Sequence, residues 1–391
     1  MVAEHLLQAS RHLESAQWRL SAAIAAAGEG SAAEALAHVR LGLKTVEAMP
    51  EGPDRDRLEL QLRAIEGPTL MVTQGPGSPN FGAAQTRGLE LLRRLGNREN
   101  LVPVIYNTAL HAWACGRLTD ADKAAGEIFA ILEEEPSDGA FLAAHTMHGL
   151  VAWHRGHNEA ARTHLTATVE RYDPTLHRDF YNRFLKEFGV FGHFYLGLTH
   201  TVMGDAEAGI HHAQRALELA EIVRRPHAYG FGLLANFVTA MLRGDPVNAA
   251  RYSEQSLEYA QRQGFPEFAA MSLVCQGWCQ AKRGALEAGI AQMKEGLDLW
   301  AMTGFENWQA LFATCLSDAY VRAGFLDEAE RLLDAHDARV ARFGEDQFKP
   351  PLALSRANLL SARGDTDGFV RAARSAREWA LRNQAILWLR P

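Results

Sequence analysis

One glycine, returning at a fixed interval, decides most of what this chain can fold into. It stands at Gly116, Gly156, Gly204, Gly244, Gly284, Gly324 and Gly364, and every interval is 40 residues except one of 48. So regular a period, within roughly 20 to 50 residues, is the signature of stacked structural repeats. Fainter copies lie upstream at Gly30 and in QGPGSPN (74–80), making about nine units. Within each unit the pattern predicts two antiparallel helices joined by the glycine, which takes a left-handed conformation without a Cβ clash. Seven positions before the glycine stands a small residue, Ala109, Gly149, Gly197, Gly277, Ser317 or Ala357, with Phe237 the exception. Four or five positions after it comes an alanine: Ala121, Ala160, Ala208, Ala249, Ala288 or Ala329. Small side chains at both places let paired helices approach closely. Glycine inside a helix costs about 1 kcal/mol relative to alanine, so Gly149, Gly197 and Gly277 need a packing reason of this kind.

Apolar residues fall at helical spacing throughout, with no sustained period-two stretch. The expected fold is all-α, one solenoid over residues 1–391. Its repeats are weaker in 1–96 and regular in 97–391, with an insertion loop at 172–189 carried by YDPTLHRDFYNRFLKEFG. Asp173-Pro174 stops the helix before it. An insertion from one unit lands on one face of a repeat array, often the binding face. Here it brings Arg178, Tyr181, Arg183, Phe184 and Lys186, expected either to bind or to plug the superhelix.

Several functions are disfavoured. A net charge of -7 gives no pull toward nucleic acid or anionic lipid, and no apolar run is long enough to span a bilayer, so a cytoplasmic location is expected. Cys115, Cys275, Cys279 and Cys315 lie inside helical patterns and read as reduced core thiols. His145 and His148 lie one turn apart, near His154, His157, His193 and His200. No carboxylate with ligand spacing joins them, so packed or solvated histidines are expected and no metal or other cofactor. The only string near a phosphate-binding loop, GLKT (42–45), lacks the first glycine and sits in a helical pattern. No catalytic residue is assigned, and the chain is expected not to be an enzyme.

The small residues, turn glycine and following alanine resemble the tetratricopeptide repeat, although the period is 40 rather than the family's roughly 34. Four stretches, AAEALAHVRLGLKTVEAMPE (32–51), GPTLMVTQG (67–75), RYDPTLHRDF (171–180) and GIAQMKEGLDLWAMTG (289–304), resemble the C-terminal arrays of bacterial class III adenylate cyclase and signal-transduction ATPase regulators, the class of the maltose-regulon activator. In those proteins a cyclase and an ATPase precede the array; both are missing here, as expected for an array excised from, or evolved apart from, a larger signalling protein. The resemblance implies a right-handed superhelix acting as a non-catalytic protein or peptide interaction module. The alternative is a sensor that binds a small-molecule effector and regulates an attached cyclase or ATPase.

It also implies that the first helix of each unit lines the concave face. On this chain that face carries Tyr106, Trp113, Trp153, His154, Phe194, Leu198, Val238, Met241, Val274, Trp278, Lys282, Asp318 and Arg322. Exposed apolar area of this size marks a binding groove; a tightly wound superhelix makes the same residues core, and both readings are open at this point. The C-terminal stretch 339–391 is basic, with Arg371, Arg374 and Arg377 near one face, and reads as a solvated cap. The final AILWLRP is apolar for a terminal repeat, which points to truncation or to a contact with a partner, a second copy of the chain included.

Overall fold

The computed structural model describes residues 2–29 and 31–389, so the expected turn at Gly30 and the terminal Arg390 and Pro391 lie outside the described residues. Helix α1 (Val2–Gln8) leads into nine helical pairs. They are α2 (His12–Gly28) with α3 (Ala32–Glu47), α4 (Pro53–Gln74) with α5 (Pro79–Leu95), and α6 (Leu101–Ala114) with α7 (Leu118–Glu134). Next come α8 (Asp138–His154) with α9 (Asn158–Arg171), the short insertion helix α10 (Phe180–Phe184), and α11 (Phe188–Val202) with α12 (Ala206–Val223). The array ends with α13 (Pro226–Leu242) and α14 (Pro246–Gln263), α15 (Pro266–Lys282) and α16 (Leu286–Met302), α17 (Gln309–Ala323) and α18 (Leu326–Phe343), and α19 (Lys349–Ala362) and α20 (Thr366–Arg382). Among the described residues there is no strand.

The turn chemistry is what the repeat requires. Gly204 has φ +92°, its N–H reaches Thr201 O at 3.1 Å, and the next N–H, of Asp205, reaches His200 O at 2.9 Å. This pair of bonds satisfies the last carbonyls of the first helix. Asp205 then caps the second helix by accepting from Ala208 N at 3.0 Å, and Gly244-Asp245 and Gly364-Asp365 repeat the device. Each such cap contributes about 0.5–2 kcal/mol. One Gly-Asp dipeptide thus ends one helix and starts the next.

The helix contact is one residue off the expected register in three units. The buried position is the fifth after the glycine in each case: Ala121, Ala161, Gly209, Ala249, Gly289 and Ala329. Ala160 and Ala288 are exposed and Ala208 is half-buried. In two pairs, glycine faces glycine. A Cβ added at Gly277 would stand 2.6 Å from Gly289 O, and one at Gly197 would stand 3.1 Å from Gly209 O. Backbone packs on backbone there, which explains glycine in mid-helix despite its intrinsic cost.

The solenoid also winds back on itself. Loops that follow α16, α18 and α20 reach the turns of units far earlier in the chain. Glu306 N–H donates to Ala114 O at 2.8 Å, Asn307 Nδ2 to Trp113 O at 3.3 Å, Gln347 Nε2 to Asn158 Oδ1 at 2.8 Å and Asn158 Nδ2 to Asn383 O at 2.9 Å. Gly77 lies so close to Gly304 that a Cβ on it would meet Gly304 O at 2.6 Å. The hydrogen-bonded partners are 189 to 225 residues apart in sequence.

Candidate functional site

Winding decides the fate of the aromatic residues assigned to the concave face. Tyr106, Trp113, Trp153, His154 and Phe194 are buried. Tyr106 meets Phe184 and Phe188 edge-on at 5.8 and 5.2 Å, and Trp113 does the same with Phe305 at 6.0 Å. Trp308, brought in by the loop after α16, stacks on Trp153 at 5.0 Å and lies parallel to Phe194 at 6.2 Å. Leu198, Val238, Met241, Val274 and Trp278 are also buried. This part of the face is core and not an open groove, because the returning loops fill it. Further along, Lys282 and Arg322 are exposed and Asp318 is half-buried; Lys282 Nζ sits 5.8 Å over the Trp278 ring, and Asp318 accepts from Ser355 Oγ at 2.9 Å. The structure does not bring these three together with the aromatic cluster.

Within the core, His154 and Glu345 are wholly buried, with Nδ1 and Oε1 3.0 Å apart. Glu345 Oε1 also accepts from Trp308 N at 3.3 Å, so one carboxylate ties α8 to two distant loops. Two histidine clusters occupy equivalent positions in neighbouring units. His145 Nδ1 faces His164 Nδ1 at 3.2 Å, and His193 Nδ1 faces His212 Nδ1 at 2.9 Å. Burial, reinforced by neighbouring histidine charge, pushes His145 down to about 4, His193 to about 3 and His212 to about 4. Among the described residues, no group of three or more His, Cys, Asp or Glu is arranged to hold a metal ion. The four cysteines are free.

The insertion is mostly ordered loop, with the five-residue helix α10 in its second half. Asp173 Oδ1 accepts from Thr175 N and Leu176 N at 2.7 and 3.0 Å, closing the turn after α9. Arg178 is exposed. Tyr181 is half-buried beneath the Arg225 guanidinium, 4.9 Å from its ring. Phe184 anchors the segment in the core, while Arg183 is exposed and donates to Glu99 O at 2.7 Å. Leu185 adopts a left-handed φ of +55°, and Lys186 turns inward.

α10 forms one wall of an open cleft whose other walls are α4, α5 and α6. Its apolar lining includes Leu60, Ala64, Pro68, Leu92, Val104 and Leu185; its polar lining is Arg63, Gln85, Asn100, Asn107, Asn182 and Arg183. Among the described residues no carboxylate lines it. Asn107 is 4% exposed; its Nδ2 donates to Arg183 O at 3.1 Å, and its Oδ1 has no partner. Leaving a buried amide oxygen unbonded costs about 1–3 kcal/mol, so this atom is poised for a donor. Arg183 was legible in the sequence but the four amides were not: Gln85 comes from α5, Asn100 and Asn107 from the start and middle of α6, and Asn182 from α10, and only the fold brings them to one cleft.

No protein-family model matches the chain, and no curated protein sequence does. Its fold, however, is similar to solved structures. A Rap protein complexed with Competence and Sporulation Factor superposes with a TM-score of 0.63 at 14% identity, covering 95% of this chain and 99% of that one. The apo form of RapI gives 0.52 at 11% identity, covering 72% of this chain and 98% of that one. Aspartyl phosphate phosphatase F from Bacillus subtilis gives 0.50 at 12%, covering 95% and 93%. The chain therefore has the tetratricopeptide-like solenoid fold of these proteins. None of these three structures is a cyclase or ATPase array. Among the described residues no helix is long and apolar enough to cross a membrane.

Proposed function

We propose that this chain is a non-catalytic regulatory module that holds a protein or peptide segment in the cleft beside α10. The make-up of that cleft carries the reading: apolar walls, four amide side chains, two guanidinium groups and, among the described residues, no carboxylate. An extended peptide presents alternating N–H and C=O groups, and each Asn or Gln offers both donors and an acceptor to meet them. Its apolar side chains fill the spaces between. Arg183, with no carboxylate in ion-pair range among the described residues, favours a segment that carries negative charge. The likeness to a Rap protein solved with Competence and Sporulation Factor supports a binding role. Occupancy would be relayed by small rotations between neighbouring repeats, and the sequence resemblance suggests a cyclase or ATPase as the receiving domain.

Panning a display library of short random peptides against the whole chain tests this. Selected peptides are expected to bind at least tenfold more weakly to N107A/R183E, about 1.4 kcal/mol. Absence of enrichment, or equal binding by the variant, would overturn it.

A further inference from the structure

Lys186 follows α10 near the end of the insertion and is 3% exposed. Its Nζ lies 4.8 Å from the Phe191 ring and 4.5 Å from the Phe231 ring. Among the described residues no acceptor lies within hydrogen-bond distance of it, and no carboxylate within ion-pair distance. Glu267 acts on the amine through space, but its carboxylate is taken by His227 Nε2 at 2.9 Å. Glu187, next in sequence, accepts from the Tyr172 hydroxyl at 2.5 Å and lies 3.8 Å from Arg225 Nε. An ammonium has three donors to satisfy, and a buried charge without a partner is among the costliest features a fold can carry. Two aromatic faces offset only part of that cost.

The amine looks onto free space on two sides. One side lies among Trp113, Phe194, Phe231, Phe268 and Trp308, the other among Tyr181, Val190, Phe191 and Ala228, and His227 borders both. Together these spaces admit about two water molecules, which excludes a drug-sized ligand and leaves room for a very small one.

We propose that Lys186 forms a binding site for a small monovalent anion, a halide or a single carboxylate group, enclosed by the aromatic walls beneath the insertion. The site is separate from the cleft and exists whether or not the cleft is occupied. It is mechanically joined to it, since Arg183 and Leu185 line the cleft three residues and one residue before Lys186. An anion that fixes Lys186 therefore fixes one cleft wall, and by linkage a cleft ligand strengthens the anion's binding in turn. Burial pushes the amine down to about 7, so anion binding takes up a proton above neutral pH and weakens as pH rises. The titratable and charged groups that face it are Tyr181 and Glu187 of its own segment, Tyr195 of α11, His227 of α13 and Glu267 of α15.

Thermal melting of the whole chain at pH 6.5 in bromide, formate or sulfate at equal ionic strength tests this. Wild type is expected to show a saturable rise of about 2–4 °C in bromide or formate over sulfate, and K186M none. A rise in bromide without formate assigns a halide, and a rise in formate assigns a carboxylate; either supports the site. Equal melting in all three salts, or the same rise in K186M, overturns it. Should K186M fail to fold, wild-type crystals grown in bromide decide: an anomalous peak at hydrogen-bond distance from Lys186 Nζ upholds the site, and none there overturns it.

Discussion

The α15/α16 pair and the insertion segment are both tightly placed, but by opposite means. In the pair, Gly277 meets Gly289 across a contact so close that neither position admits a Cβ without movement. Everything needed is inside one unit, 12 residues apart. In the insertion nothing local suffices: Phe184 is held by Tyr106, Asn107 holds Arg183 O, and Tyr181 lies under Arg225. Repeats specify themselves, whereas the insertion is specified by its surroundings. That difference is also one of function, because the segment without its own register forms a wall of the cleft and supplies Lys186.

The comparison breaks most severely where both regions rest on the same core. W308A removes the indole stacked on Trp153 and parallel to Phe194, and should cost about 3–5 kcal/mol in urea unfolding. A smaller effect is expected within one pair: G277V should lose about 1–3 kcal/mol through overpacking, with the insertion unmoved in hydrogen exchange. If G277V also deprotects 180–186, the two regions are not separately specified.

Acid should act next, and on α8, α9, α11 and α12. His145, His193 and His212 have folded pKa values below the unfolded value of about 6.5. The unfolded state therefore binds more protons between them, and stability present above about 6.5 is lost as pH falls toward 4 and 3. H145N/H193N should flatten that dependence in melts from pH 7 to 4, and an unchanged slope would contradict it. Lys186 acts in the same sense over a higher window: folded at about 7 against about 10.5 unfolded, it too makes stability rise with pH, between those values, and K186M should remove that rise. The smallest effect belongs to exposed Arg178, where R178A should change stability by less than about 0.5 kcal/mol.

The 40-residue glycine period made the fold legible, because each unit repeats the same solution. Register within the unit was readable to one residue only. Alanines at 160, 208 and 288 looked like the contact, but the glycine or alanine beside each makes it, since a helix face turns by a full side chain per residue. Closure of the superhelix left no comparable sign. Its contacts come from loops such as 304–308 and 345–348, which carry no periodic pattern and meet partners nearly two hundred residues away. For that reason Trp153 and Phe194 could not be assigned to groove or core from spacing alone. The cleft was hidden for a related cause: Gln85, Asn107 and Asn182 belong to different units, and only the fold makes them neighbours.

The most direct test is hydrogen exchange of the whole chain with and without a peptide selected for binding. Added protection is expected in α4, α5, α6 and 180–186, with 278–282 and 318–322 unchanged. Protection centred on Lys282, Asp318 and Arg322, with the cleft unaffected, would contradict it.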